Sequence, residues 1–232
     1  MNKDSIGNRM KGNYEDRYRF KLTRRIPVII RLDGKAFHTL TRDCKKPFDD
    51  SFCCAMKEVS IYLLKNIQGA KCIYTQSDEI SILLTDFDRL TTDAWFDYNI
   101  QKMTSISASM ASVVFSSLWH RHGYFDSRVF NIPKEDTCNY FIWRQQDWIR
   151  NSIQMLSQYY FSHKELHKKN TKDMHEMLYK KNVNWATLDE QWKNGTFIHI
   201  NSLCEDNIAI DSTVIFKDNR EYIERFLKPI EE

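Results

Sequence analysis

Two aspartates separated by 45 positions, Asp33 in the run RLDGK and Asp78 in the run QSDE, define the chemistry this sequence is equipped for. Carboxylates are hard oxygen ligands, and Mg²⁺ is commonly held by one or two of them together with substrate phosphates. A pair of such ions activates an attacking oxygen and stabilises a leaving one. Taken singly, Asp-Gly and Ser-Asp are ordinary turn pairs, so the reading depends on the chain bringing them together. Glu79, next to Asp78, either supports the pair from behind or points away from it. Phosphate-binding groups gather in the same segments. Lys35, Phe37 and His38 follow the Asp-Gly turn, where successive backbone N–H groups can face a phosphate. Lys46 precedes a helix that starts near Asp49, Lys102 lies on the second core helix, and Arg128 begins a strand.

The elements that must position these groups follow from apolar periodicity. Residues 26–32 are short, apolar and β-branched, and read as a buried strand ending at Asp33-Gly34. Over 49–68, Phe52, Met56, Val59 and Leu63 recur at helical spacing, and Gly69 stops that helix. Strands at 71–75 and 79–84 are joined tightly around Gln76-Ser77-Asp78, a long helix spans 95–118, and 127–131 is a further strand. The order β-α-β-β-α-β is the ferredoxin-like arrangement of a polymerase palm, and the fold class is α+β. Right-handed crossover makes the first two strands parallel, and the third doubles back beside the first. Asp33 and Asp78 are therefore expected at one edge of the sheet. Beyond Pro133 the pattern predicts helices at 134–160, 171–181 and 185–192. Strands at 196–201 and 212–217 and a last helix ending near Leu227 complete it. The chain thus divides into a catalytic core at 1–132, carrying a basic N-terminal helix, and a mainly helical appendage at 133–232 within one compact unit.

A chain of 232 residues with 42% hydrophobic and 13% aromatic content can fill such a core, and 6 Gly and 4 Pro exclude a linker-rich sequence. The net charge of +3 excludes a uniformly basic coat. Charge is local instead. The first 25 residues hold eight basic against three acidic side chains, and a second stretch carries Lys164, Lys168, Lys169 and Lys172. Both stretches read as solvated helix faces or as contacts for a polyanion. Six cysteines lack CxxC spacing and seven histidines lack HExxH, so reduced thiols and no zinc site are expected. The absence of an apolar run near ~20 residues and the polar start lead to the expectation of a cytoplasmic globular protein.

Five segments stand in a recognisable order: RLDGKAFH at 31–38, KPFD at 46–49, QSDEIS at 76–81, FDSRVF at 125–130 and WRQQD at 143–147. With them the chain resembles the tRNA-histidine guanylyltransferase superfamily, the reverse (3′–5′) polymerases. The resemblance implies activation of a tRNA 5′-monophosphate by ATP or GTP, then attack by the 3′-hydroxyl of an incoming NTP. It implies two Mg²⁺ ions on Asp33, the Gly34 carbonyl and Asp78, with Glu79 important for catalysis. By the same likeness, Arg31, His38, Lys46, Asp49, Ser77 and Lys102 surround the activating nucleotide, and Arg128 contacts a triphosphate. Arg144, Arg150 and Asn151 are candidates for RNA contact, the basic segment with Arg9 and Lys11 fits an RNA backbone, and a homotetramer is implied. Members that add an obligatory guanosine continue from WRQxD into an HINNLYN-like run. Here 148–154 reads WIRNSIQ, with Ile149, Ser152 and Gln154 in place of the His, second Asn and Tyr. That departure is similar to the Thg1-like branch and implies template-dependent repair of tRNA 5′ ends. The alternatives are the enzyme that adds the extra 5′ G to histidine tRNA, and a non-catalytic RNA-binding protein with an inactive palm. A palm-type nucleotide cyclase would leave WRQQD without a role.

Overall fold

The computed structural model describes residues 5–201 and 207–228. A six-stranded sheet in the order β4-β1-β3-β2-β5-β6 organises the molecule, and every neighbouring pair is antiparallel. Its strands are β1 (Val28–Gly34), β2 (Ala70–Gln76), β3 (Glu79–Leu84), β4 (Phe125–Asn131), β5 (Thr196–Ile200) and β6 (Ile208–Asp211). The first four have the ferredoxin-like order. Residues beyond Pro133 continue the same sheet, because β5 pairs with β2.

Both faces of the sheet are covered, which explains why its central strands are apolar without alternation. Val28, Ile30 and Leu32 face a core shared with α3 (Asp50–Asn66) and α4 (Ile100–Trp119). Ile29, Tyr74 and Leu83 face a second core, with Cys138 and Phe141 of α5 (Lys134–Tyr160) and with Val214 and Phe216. The Asp49 carboxylate caps α3 by accepting the Phe52 N–H at 2.9 Å. Gly69, at φ +81°, ends the turn after α3, and a Cβ there would lie 2.7 Å from the Thr85 carbonyl oxygen. Among the described residues, no helix is long and apolar enough to cross a membrane.

Three expected elements differ. The helix expected from residue 95 is interrupted, since Phe96, Asp97 and Tyr98 have left-handed φ values of 50–52° and Asn99 caps a fresh start of α4. The helix expected at 185–192 breaks into a 3₁₀ turn (Trp185–Thr187) and α8 (Glu190–Asn194). The last strand lies at Ile208–Asp211 and not at 212–217. Val214 and Phe216 do alternate into the core, which produces the strand-like pattern. Their backbone bonds go to a side chain, however: Gln145 donates to the Val214 carbonyl at 2.8 Å and accepts the Phe216 N–H at 3.0 Å.

Candidate active site

The register of β1 against β3 sets Asp33 opposite Glu79, with Ser77-Asp78 as the two-residue turn between β2 and β3. Ser77 takes a left-handed φ of 49°, as tight two-residue hairpins require. Gly34 then decides how closely the two carboxylate-bearing segments approach. A Cβ at Gly34 would stand 2.8 Å from Asp78 Oδ2 and 2.4 Å from the Phe37 ring, so only glycine fits. Burial, reinforced by the charge of Asp33, pushes the Asp78 carboxyl up to about 6, against hydrogen bonds from its own N–H and from Ser77. A buried carboxylate facing another is a site that a cation relieves. No group of three or more metal-binding side chains occurs among the described residues. Asp33 and Asp78 at this edge are hard oxygen donors of the kind that suit a divalent ion keeping water and substrate oxygens in its shell.

Glu79 is held from two sides. Arg144 of α5, itself 4% exposed, donates to it at 2.6 and 2.7 Å, and Arg31 donates at 2.5 Å. Arg144 also reaches Asp147 at 2.9 Å, and Asp147 accepts from Arg150 at 2.6 Å. The Arg144 guanidinium is thus bound to carboxylates inside the protein, and it reaches a cavity beside the Ser77-Asp78 hairpin and no open surface. Arg31 contacts Asp33 only at 3.4 Å, and its Nε is buried without a partner.

Two cavities flank the Ser77-Asp78 hairpin, and Gln76, Ser77, Asp78, Trp148 and Met155 line both. The first, of about 320 Å³, is walled by His38, Lys46 and Asp49 and by Phe48 stacked on Trp192 at 4.9 Å. Lys46 Nζ lies 3.1 Å from the Thr41 carbonyl oxygen. Both Asp49 oxygens are taken by backbone N–H groups of Phe52 and Lys45, so this residue shapes the loop. The second cavity, of about 440 Å³, holds Arg31, Asp33, Glu79 and Asn151 together with Gln154 and Gln158. The sequence alone marks Gln154 only as a departure from the HINNLYN-like run and does not mark Gln158, although their spacing from Asn151 sets all three on one face of α5.

Other expected residues are placed differently. Phe37 is 3% exposed, and its ring packs in the core on Phe115 and Phe125 at the wall of the first cavity. The exposed Lys35 has its N–H bonded to the Tyr124 carbonyl at 2.8 Å. Arg128 stands opposite Arg31 on the edge strand β4 and pairs with Asp126 at 3.3 Å. Lys102 is not brought to the site. β3 leads away from Asp78, so α4 must begin at the far end of the sheet and return toward Phe125. Its first turn, with Lys102 over Phe96, is about 25 Å along the helix axis from its last. Arg9 and Lys11 lie on an exposed segment that joins the body beside Tyr98 and Asn99, also at that far end.

Known proteins share this fold. A family model described as Thg1, tRNAHis guanylyltransferase, matches residues 7–133. A bacterial tRNA(His) guanylyltransferase (Thg1)-like protein solved in complex with ATP superposes with a TM-score of 0.91. It is 46% identical, over 96% of this chain and 99% of that one. A bacterial Thg1-like protein solved with GTP gives 0.87 at 44% identity, over 97% and 99%. The tRNA(His) guanylyltransferase of Saccharomyces cerevisiae gives 0.72 at 19% identity, over 89% and 98%, a likeness of fold. An uncharacterized protein, R259, of Acanthamoeba polyphaga mimivirus is 28% identical, over 88% of this chain and 80% of its own length.

Proposed function

The chain belongs to the tRNAHis guanylyltransferase (Thg1) family, in its Thg1-like branch, and from that premise we propose that this nucleotidyltransferase extends tRNA 5′ ends in the 3′–5′ direction under the direction of a template. The observation that carries the reading is the pair of cavities on either side of one carboxylate hairpin. A two-step reaction needs an activating nucleotide and an RNA end on opposite sides of one reacting phosphate.

In the first step a 5′-monophosphate oxygen attacks the α-phosphorus of ATP, and pyrophosphate leaves. In the second, the 3′-hydroxyl of the incoming NTP attacks the activated 5′-phosphorus, and AMP leaves. No protein nucleophile is involved, so the residues act by positioning and by charge. The Phe48–Trp192 wall fits the base of the activating nucleotide, and Lys46 and His38 fit its phosphates. Asp33, Gly34 and Asp78 would hold two Mg²⁺ ions, which when bound supply charge neutralisation at the attacking and leaving oxygens. Arg144 and Arg31 hold the Glu79 carboxylate fixed behind that edge.

Template-directed repair, as opposed to addition of one obligatory guanosine, is supported by the run 148–154. Ser152 is fully buried and donates to the Trp192 carbonyl at 2.5 Å, while Gln154 turns into the second cavity. A homotetramer is supported by Ile106, Val113 and Leu118 of α4, which are 40%, 69% and 43% exposed.

The test uses a 5′-³²P-monophosphorylated tRNA lacking its first nucleotide, with Mg²⁺, ATP and each NTP in turn. Addition only of the nucleotide complementary to the opposing base is expected. Addition of G whatever the opposing base, and only to histidine tRNA, would transfer the assignment to the maturation enzyme. No addition, with tight Mg²⁺-independent RNA binding, would leave a binding protein.

A further inference from the structure

The active site does not use the second basic stretch, and the fold sets an aromatic pocket beside it. α6 (His163–Leu166) and α7 (Thr171–Tyr179) pack along α5. Their acidic residues Glu165 and Asp173 are occupied in capping boxes with Ser162 and Asn170. Lys164, Lys168, Lys169, Lys172 and Lys180 are exposed, and none of them is ion-paired among the described residues. A cavity of about 450 Å³ opens at Lys180, the C-terminal member of this set, walled by His175, Tyr179, Lys180 and Trp185, with Glu176 as its acidic member. Tyr179 is 75% exposed there, while Trp185 is fixed edge-on to His175 at 5.8 Å and donates to Ser152 at 2.9 Å.

An exposed ring beside unpaired lysines is the composition that binds an unpaired nucleotide, with the base stacked and the phosphates neutralised. A base pair stacked within a duplex presents no free face to such a pocket, whereas a single-stranded end does. Position decides which end. Ser152, bonded to the pocket's Trp185, follows Asn151, which lines the cavity holding Asp33 and Asp78. The two cavities thus adjoin α5 at consecutive residues. In an acceptor stem the strand opposite the 5′ nucleotide runs on as a single-stranded 3′ tail, leaving the duplex at the end where the 5′ phosphate reacts.

We infer that the Tyr179 pocket is a subsite for an unpaired nucleotide of the substrate's 3′ tail, its base stacked on Tyr179 and its phosphate against Lys180. The inference rests on the proposal that an RNA 5′ end is the substrate, and it is tested by binding alone. Two hairpin RNAs with the same stem and 5′-phosphate, one blunt and one with a short 3′ tail, are titrated against the full chain by fluorescence anisotropy. The tail is expected to tighten binding about tenfold, within the range one stacked base supplies. Tyr179→Ala should erase that gain and Tyr179→Phe should keep it. A 4-thiouridine in the tail should crosslink to the α7 peptide. Equal affinity of the wild type for both RNAs, or a gain that survives Tyr179→Ala, would overturn the subsite and leave 5′ addition standing. A tail-dependent gain without NTP addition would instead remove the polymerase reading.

Discussion

Asp78 carries the sharpest consequence at the scale of single residues. Its carboxyl titrates near 6 in the folded chain against an ordinary 3.8, because it is buried and faces Asp33. A raised carboxyl binds more protons in the folded state, so it favours folding at low pH and loses that contribution as pH rises through about 6. Asp78→Asn is therefore expected to be more stable than wild type above pH 7, by on the order of 2 kcal/mol, with the difference gone below pH 4. Thermal melts across pH measure this. A variant less stable at pH 8 than wild type would contradict it. In the same melts Mg²⁺ should raise the wild-type Tm at pH 8 and leave Asp78→Asn unmoved, and NTP addition by that variant should be lost. Lys46, beside the first cavity, should matter for activation. Lys46→Ala is expected to slow transfer of AMP to a 5′-monophosphate at least tenfold more than addition to RNA already carrying a 5′-triphosphate. Equal loss on both substrates would remove that role.

The elements show why these residues meet. Strand β1 and hairpin β2–β3 converge by crossover handedness, which is readable in the order of apolar runs, so the approach of Asp33 to Asp78 follows from the sequence. The part played by α5 does not. Arg144 lies 65 positions from Glu79, and no local pattern announces a buried ion pair at that separation. Removing one partner of such a pair leaves a buried charge, at a cost of about 3–5 kcal/mol. Arg144→Met is expected to lower the urea midpoint accordingly and to reduce addition, with Arg31 alone left to face Glu79. A loss below 1 kcal/mol would show that the pair contributes little. Trp192, in α8, was invisible for a related reason. Its ring completes the first cavity by stacking on Phe48, 144 positions earlier. Lys102 lies at the far end because β3 leads the chain away from Asp78 before α4 begins, a consequence of strand direction and not of local pattern.

At the scale of the whole molecule, the sheet runs unbroken from β4 to β6, and residues beyond Pro133 supply its second covering layer as well as two strands. The outward face of α4 stays uncovered within one chain. Light scattering is expected to give four copies for the wild type and a smaller species for Val113→Asp, since a charge at a residue 69% exposed in one chain disturbs only an interface. A monomeric wild type would end the tetramer proposal. By itself the amino-acid sequence determined the α+β class, the β-α-β-β-α-β order, the convergence of Asp33 on Asp78 and the motifs that resemble the tRNA-histidine guanylyltransferases. These rest on periodicity, handedness and short contiguous runs, all local properties of the chain. Only the tertiary structure decided that Phe37 is core, that Arg144 serves Glu79, that Gln154 and Gln158 enter the second cavity, and that Tyr179 stands exposed beside unpaired lysines. Those outcomes depend on which distant side chains fill the same volume, and packing over separations of tens of residues leaves no imprint on local pattern.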